Sequence, residues 1–109
     1  MRVQIVAKAS DVSAPVRERA EEQLRKLQRF EPRLSSAEVI FDEERHEKRA
    51  EGVLSVDGAK PVVAQGEGDD YRAALDQMIE RLSKILRRRR SQITDHQAPK
   101  LSEVVEGEE

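Results

Sequence analysis

Apolar positions along the chain switch between two periods. Over residues 2–8, RVQIVAK, Val3, Ile5 and Ala7 alternate with Arg2, Gln4 and Lys8, the pattern of a strand with one buried face. Val16, Ala20, Leu24 and Leu27 then recur at helical spacing. They predict a helix over about 14–30, with capping oxygens on Asp11 and Ser13 and a Pro15 that the first turn tolerates. Pro32 and the pair Ser35, Ser36 end it. Three alternating runs follow, Ala37-Val39-Phe41, Gly52-Leu54-Val56 and Val62-Ala64-Gly66, which read as an antiparallel meander. Asp57-Gly58 suits a tight hairpin turn between the last two. The earlier join, DEERHEKRA, is long and densely charged, and a solvated loop is expected there. Asp69 is placed to cap a second helix beginning near Tyr71, along which Ala74, Leu75, Met78, Ile79, Leu82, Ile85 and Leu86 form one broad apolar stripe.

The order is β-α-β-β-β-α, an α+β class. The first helix crosses between two strands that can lie parallel. A two-layer sandwich follows, a four-stranded sheet with both helices packed on one face, leaving Val6, Ile40, Val53 and Val63 among polar neighbours on the other. At 109 residues one domain is expected, residues 1–96. Periodicity fades from Ser91, and residues 97–109 read as an acidic, disordered tail.

Composition narrows the chemistry. There is no Cys and no long apolar run at the start, so disulfides, thiolate catalysis and a signal peptide or membrane span are not expected, and a cytoplasmic protein is the simple reading. His46 lies in the charged join and His96 beyond the second helix, neither with a ligand partner at a metal-binding spacing. GEGDDY before the second helix lacks the Lys-Ser/Thr of a phosphate-cradling loop. Convergent reactive groups are missing, so neither an enzyme nor a cofactor is expected.

The formal net charge is −2, but the last nine residues hold four acids and no base; without residues 99–109 the count is 19 Lys and Arg against 18 Asp and Glu. What matters is where the bases sit. RLSKILRRRR, residues 81–90, has six bases and no acid. Arg81, Lys84 and Arg88 fall within about 60° of one another on a helical wheel. Arg89 falls mid-stripe, where a guanidinium needs a partner, so the helix is expected to outrun its sheet by about residue 88 and carry Arg87, Arg89 and Arg90 as a collar. In the first helix Arg25, Lys26 and Arg29 cluster near the C-terminal end, with Arg33 just past it. Glu21 with Arg25 and Glu22 with Lys26 are i, i+4 pairs, so that cluster also fits a self-paired solvated surface. The second helix has no acid between Glu80 and Asp95, and a polyanionic partner accounts better for its charge. If the helices pack side by side, the two clusters merge. With two Phe, one Tyr and no Trp, structured RNA read through backbone and shape fits better than stacked single strands.

VRERAEEQLRKLQRF, the Asp-Gly hairpin and GEGDDYRAALDQMIERLSKIL resemble the ribosome hibernation-promoting factor and ribosome-associated inhibitor family over about residues 1–96. Asp70, Tyr71, Ala73, Ala74, Leu75 and Asp76 match the family's acidic–Tyr–x–Ala–hydrophobic–Asp pattern. The resemblance implies a domain that binds the small ribosomal subunit and its ribosomal RNA near the decoding region, overlapping the positions of messenger and transfer RNA in an idle ribosome. By position it implies RNA contacts from Arg81, Lys84, Arg87, Arg88 and Arg90 on the second helix and from Arg25, Lys26 and Arg29 on the first. Tyr71 and Asp76 match positions read as structural, Asp76 on the helix surface. The family's long forms carry a second, dimerising domain that this sequence lacks, and the acidic end is closer in character to the inhibitor type.

Two other readings compete. A double-stranded RNA-binding domain has a similar element order but places its lysines at the start of the last helix, which here is acidic. A protein adaptor would dock the arginines on an acidic partner. No membrane partner is expected, and the free protein is expected to be a monomer.

Overall fold

The computed structural model of the chain describes residues 1–8 and 12–97, with side chains through Arg89. Six main elements follow in order: β1 (Arg2–Ala7), α1 (Ala14–Lys26), β2 (Leu34–Glu44), β3 (Glu47–Val56), β4 (Val62–Gly68) and α2 (Tyr71–Gln97), with a 3-10 turn at Leu27–Arg29. The sheet order is β1-β2-β3-β4. β1 pairs parallel with β2, Val3 opposite Ala37, while β2–β3 and β3–β4 are antiparallel. The expected α+β sandwich is the observed one.

Local chemistry sets the element ends. The Ser13 hydroxyl accepts from the Val16 nitrogen at 3.4 Å and Pro15 stands in the first turn of α1; Asp11, the other expected cap, lies outside the described residues. The predicted end of this helix at about residue 30 includes the tighter 3-10 turn. At α2 the cap is Asp70 rather than Asp69: its Oδ1 accepts from the Ala73 nitrogen at 2.8 Å, the N-cap to N3 bond of a well-formed start. The helix continues through Gln97, past the point where apolar periodicity fades. Of the expected tail, residues 97–109, Gln97 is instead the last residue of α2, and residues 98–109 lie outside the described residues.

One expected loop is a hairpin. DEERHEKRA continues β2 and β3 to a two-residue turn at Arg45 and His46, whose φ values of 53° and 68° suit the twist of a tight hairpin. The ladder reaches Asp42 opposite Arg49 and Glu43 opposite Lys48. Lys48 Nζ stands 3.0 Å from Glu43, and Arg49 bonds Glu44 and lies 3.8 Å from Asp42. Opposite charges across the strands replace the apolar alternation that normally marks such a ribbon.

The core lies between the sheet and the helices. Phe41, Val39 and Leu54 from the sheet, Leu24 and Leu27 from α1 and its 3-10 turn, and Leu75, Met78 and Leu82 from α2 are fully buried, each stabilising the fold by roughly 1.5–3 kcal/mol. Tyr71 meets Phe41 edge-on at 5.7 Å. Two glycines let α2 sit close to the sheet. A Cβ on Gly66 would collide with the Ala74 carbonyl and stand 2.6 Å from the Met78 nitrogen, and one on Gly52 would stand 2.8 Å from the Met78 sulfur. On the opposite face Val6, Ile40 and Val53 are half-buried and Val63 is 49% exposed.

The helices run parallel. Arg19 Nε donates to Asp76 Oδ1 at 2.9 Å, and the Arg87 guanidinium lies 5.7 Å from the Phe30 ring centroid. Both contacts join positions 57 apart in sequence, so equal steps along α1 and α2 stay level. Asp76, expected on the helix surface, thus bridges the helices, and it also lies 4.0 Å from Arg72. Its hydrogen bond, more than its charge, raises the pKa of Arg19.

Candidate polyanion interface

Because the helices are level, Arg25, Lys26 and Arg29 stand beside the α2 segment that carries Arg81–Arg88. The two basic segments are side by side, and they join as a belt rather than as one compact patch. Arg81 Nη1 donates to the Gln65 carbonyl of β4 at 2.6 Å, so the Arg81-Lys84-Arg88 stripe lies on the β4 flank of α2, away from α1. Arg87 is on the other flank, over Phe30 at the end of α1. On α1, Arg25 donates to the Met1 carbonyl at 3.1 Å and so turns toward β1. Lys26, seven residues from Arg19, shares the flank facing α2. The result is a belt across the helical layer, from the β4 edge to the β1 edge, with Arg87 near its middle.

The cations in the belt differ in how they are compensated. Arg25 bonds Glu21 at 3.0 Å and Lys26 lies 4.0 Å from Glu22, the i, i+4 pairs seen in the sequence. Arg81 lies 3.9 Å from Glu67, a cross-element acid, and Lys84 is 3.8 Å from Glu80. Arg87 donates to the Ser83 carbonyl at 3.4 Å and faces an aromatic ring, neither of which removes its charge. Arg29 and Arg88 are exposed and have no carboxylate partner among the described residues. The side chain of Arg90 lies outside those described. Exposed pairs at these separations are screened and weak, so Arg29, Arg87 and Arg88 leave the strongest uncompensated field. The carboxyl end of α1, which favours cations, lies here, whereas α2 runs on to Gln97.

Arg89 corrects the expected overhang. Its Nη1 donates to the Lys60 carbonyl at 2.7 Å and its Nη2 to the Pro61 carbonyl at 3.3 Å, while Leu86 is still buried. The helix is therefore seated on the sheet at residue 89, because the β3–β4 turn extends beneath it. A wheel compares side chains only, and the partners here are main-chain carbonyls.

No group of three or more His, Cys, Asp or Glu able to hold a metal is present among the described residues. On the open sheet face a shallow depression of about 120 Å³ lies beside Arg2, Gln4, Ser36 and Val53. No described helix is long and apolar enough to cross a membrane. Recognition over an exposed charged surface is the chemistry that these residues offer.

Solved structures share the fold: a ribosomal subunit interface protein from Coxiella burnetii (TM-score 0.75, 24% identity, 84% of this chain and 99% of that one) and the N-terminal domain of Protein Y from Thermus thermophilus (TM-score 0.71, 24% identity, 81% and 98%). Among curated proteins, a ribosome hibernation promoting factor of Azotobacter vinelandii is 35% identical over 86 residues, 79% of each chain. One of Pseudomonas putida is 27% identical over 88 residues, 81% of this chain and 85% of its own length. A family model matches residues 3–94, nearly the whole described fold, and the chain belongs to the sigma 54 modulation protein / S30EA ribosomal protein family that it describes.

Proposed function

We propose that this chain is a ribosome hibernation factor that binds ribosomal RNA of the small subunit near the decoding region. Bound there, it covers the sites of messenger and transfer RNA and keeps an idle ribosome inactive, with no chemistry of its own and from within the cytoplasm. The observation that carries the reading is the row of cations without carboxylate partners among the described residues, Arg29, Arg87 and Arg88, where the end of α1 lies beside α2, in a chain whose curated relatives are named as hibernation promoting factors.

A phosphate backbone suits this surface because each neutralised phosphate releases condensed counterions. The cations sit on helices fixed to a packed core, so little order is lost on binding. Aromatic platforms are lacking, with Phe41 and Tyr71 buried, which favours backbone and shape over stacked bases. Sedimentation of the protein with purified small ribosomal subunits across a salt series tests the reading. Co-sedimentation at low salt that falls steeply as salt rises is expected, together with loss of initiation complexes; absence of co-sedimentation at low salt overturns it. Binding that survives removal of the RNA by nuclease would indicate a protein partner instead.

A further inference from the structure

The β3–β4 turn is held more firmly than an exposed hairpin requires. The Asp57 nitrogen donates to the Arg33 carbonyl at 3.0 Å, the Ala59 nitrogen to the Val56 carbonyl at 3.1 Å, and Arg89 donates to two successive carbonyls, those of Lys60 and Pro61. Gly58 supplies the positive φ of 74° at the bend. The acceptors of Arg89 in this arrangement are neutral, so its guanidinium is fixed in place with no carboxylate against its charge among the described residues. Two of its five N–H donors are used, and the others remain for a further acceptor. Lys60, whose carbonyl Arg89 grips, is exposed and has no carboxylate partner among the described residues. Arg88 precedes Arg89 on the helix and is equally exposed. The acid of the turn, Asp57, acts on Arg33, whose pKa is raised chiefly by its bond to Glu31 and less by Asp57.

We infer that the β3–β4 turn is a second contact for the RNA, in which Lys60 and Arg89 bind a backbone phosphate at the base of the molecule, next to Arg88. This rests on the ribosomal reading above and extends the interface from the helical layer onto the sheet. Arg89 has two roles in it: it touches the phosphate, and it positions the turn that carries Lys60. Ordered cations of this kind bind a phosphate with less loss of side-chain freedom than lysines on a mobile loop.

Binding of Lys60→Gln, Arg89→Gln and the double variant to purified small ribosomal subunits, across a salt series and beside the wild type, tests the inference. Lys60→Gln should weaken binding several-fold and reduce the salt slope by about 1, the effect of losing one phosphate contact. Arg89→Gln should reduce it further, and the two losses should be less than additive, since the second change acts on a turn already released. Thermal melts separate this from simple loss of structure: Lys60→Gln leaves the fold unchanged, while a structural role alone for Arg89 would lower the melting temperature of Arg89→Gln and leave the salt slope untouched. Arg89→Lys, which keeps the charge but loses the fork, should bind between wild type and Arg89→Gln. If the wild type binds and Lys84→Glu with Arg88→Glu weakens it, but Lys60→Gln leaves affinity and slope unchanged, the second contact is overturned and the ribosomal reading stands. Failure of the wild type to bind overturns both.

Discussion

α1 and α2 lie level, point the same way and carry cations at the same end, yet they hold those cations differently. On α1, Arg25 and Lys26 each face a glutamate one turn back. On α2 only Lys84 repeats that arrangement, with Glu80 one turn back; Arg81 donates to a β4 carbonyl and lies 3.9 Å from Glu67, Arg89 donates to carbonyls of the β3–β4 turn, Arg87 covers a ring, and Arg88 has no carboxylate partner among the described residues. A carboxylate fixes a guanidinium by cancelling its field, whereas a carbonyl fixes it and leaves the field in place. Two helices of similar composition therefore present different potentials. The difference begins with packing, because α2 is drawn against the sheet by Gly52 and Gly66 until its arginines reach the strand backbone, while α1 docks through Leu24 and Leu27.

The largest break comes from lifting α2. Gly66→Ala places a methyl group against helix backbone that cannot move aside, and should cost about 3 kcal/mol, read as a lower urea midpoint. Next is the charge on α2. Lys84→Glu with Arg88→Glu should weaken binding to small subunits on the order of 100-fold at low salt and flatten the salt slope by about 2, whereas Glu18→Lys stays within about twofold. Arg25→Glu with Lys26→Glu should lose less than about tenfold, because both of those charges are already opposed whereas Arg88 is not; equal losses would mean that α1 and α2 hold their cations alike.

A smaller change sharpens it. Glu21→Gln with Glu22→Gln frees the α1 cations and should tighten binding about threefold while costing roughly 0.2–0.5 kcal/mol per pair in stability. Unchanged affinity would mean that the pairs were already screened away. The smallest effect is expected from Asp76→Asn, which weakens the bridge to Arg19 that keeps the helices level, readable as a slight, salt-sensitive fall in melting temperature. Because the Arg19 pKa is raised in the folded chain, that bond contributes fully below the ordinary guanidinium value and is lost only as pH climbs through the raised one. The difference between Asp76→Asn and wild type should therefore gain no pH dependence from Arg19 between neutral and moderately alkaline conditions.

Most of the architecture was readable wherever apolar side chains set the period: the strand at Val3–Ala7, the stripe from Ala74 to Leu86 and the meander. The β2–β3 ribbon was not, because residues 42–49 have no apolar alternation and are held by charges whose pairing depends on register. The basic residues of the belt were visible by type, and the wheel grouped Arg81 with Lys84 and Arg88. It did not show which flank faced the other helix, since that depends on the order of strands beneath. Arg89 was misplaced for a related reason: its partners are carbonyls of residues 60 and 61, and carbonyl positions leave no trace in side-chain identity. Asp76 was visible as an acid on a helix, but its bond to Arg19 needed the parallel alignment of the two helices.

That alignment has a consequence for how the protein meets its target. The end with the Arg45-His46 turn and the start of α2 gathers Asp42, Glu43, Glu44, Glu47, Asp69 and Asp70 against Arg45, Lys48, Arg49 and Arg72, an excess of acid, while Arg29, Lys60, Arg87 and Arg88 lie toward the other end. A body charged in this way has a front and a back. In the field of a polyanion it is turned as it diffuses, so encounters start with the correct end forward, and adding salt should slow arrival before it loosens what has already bound.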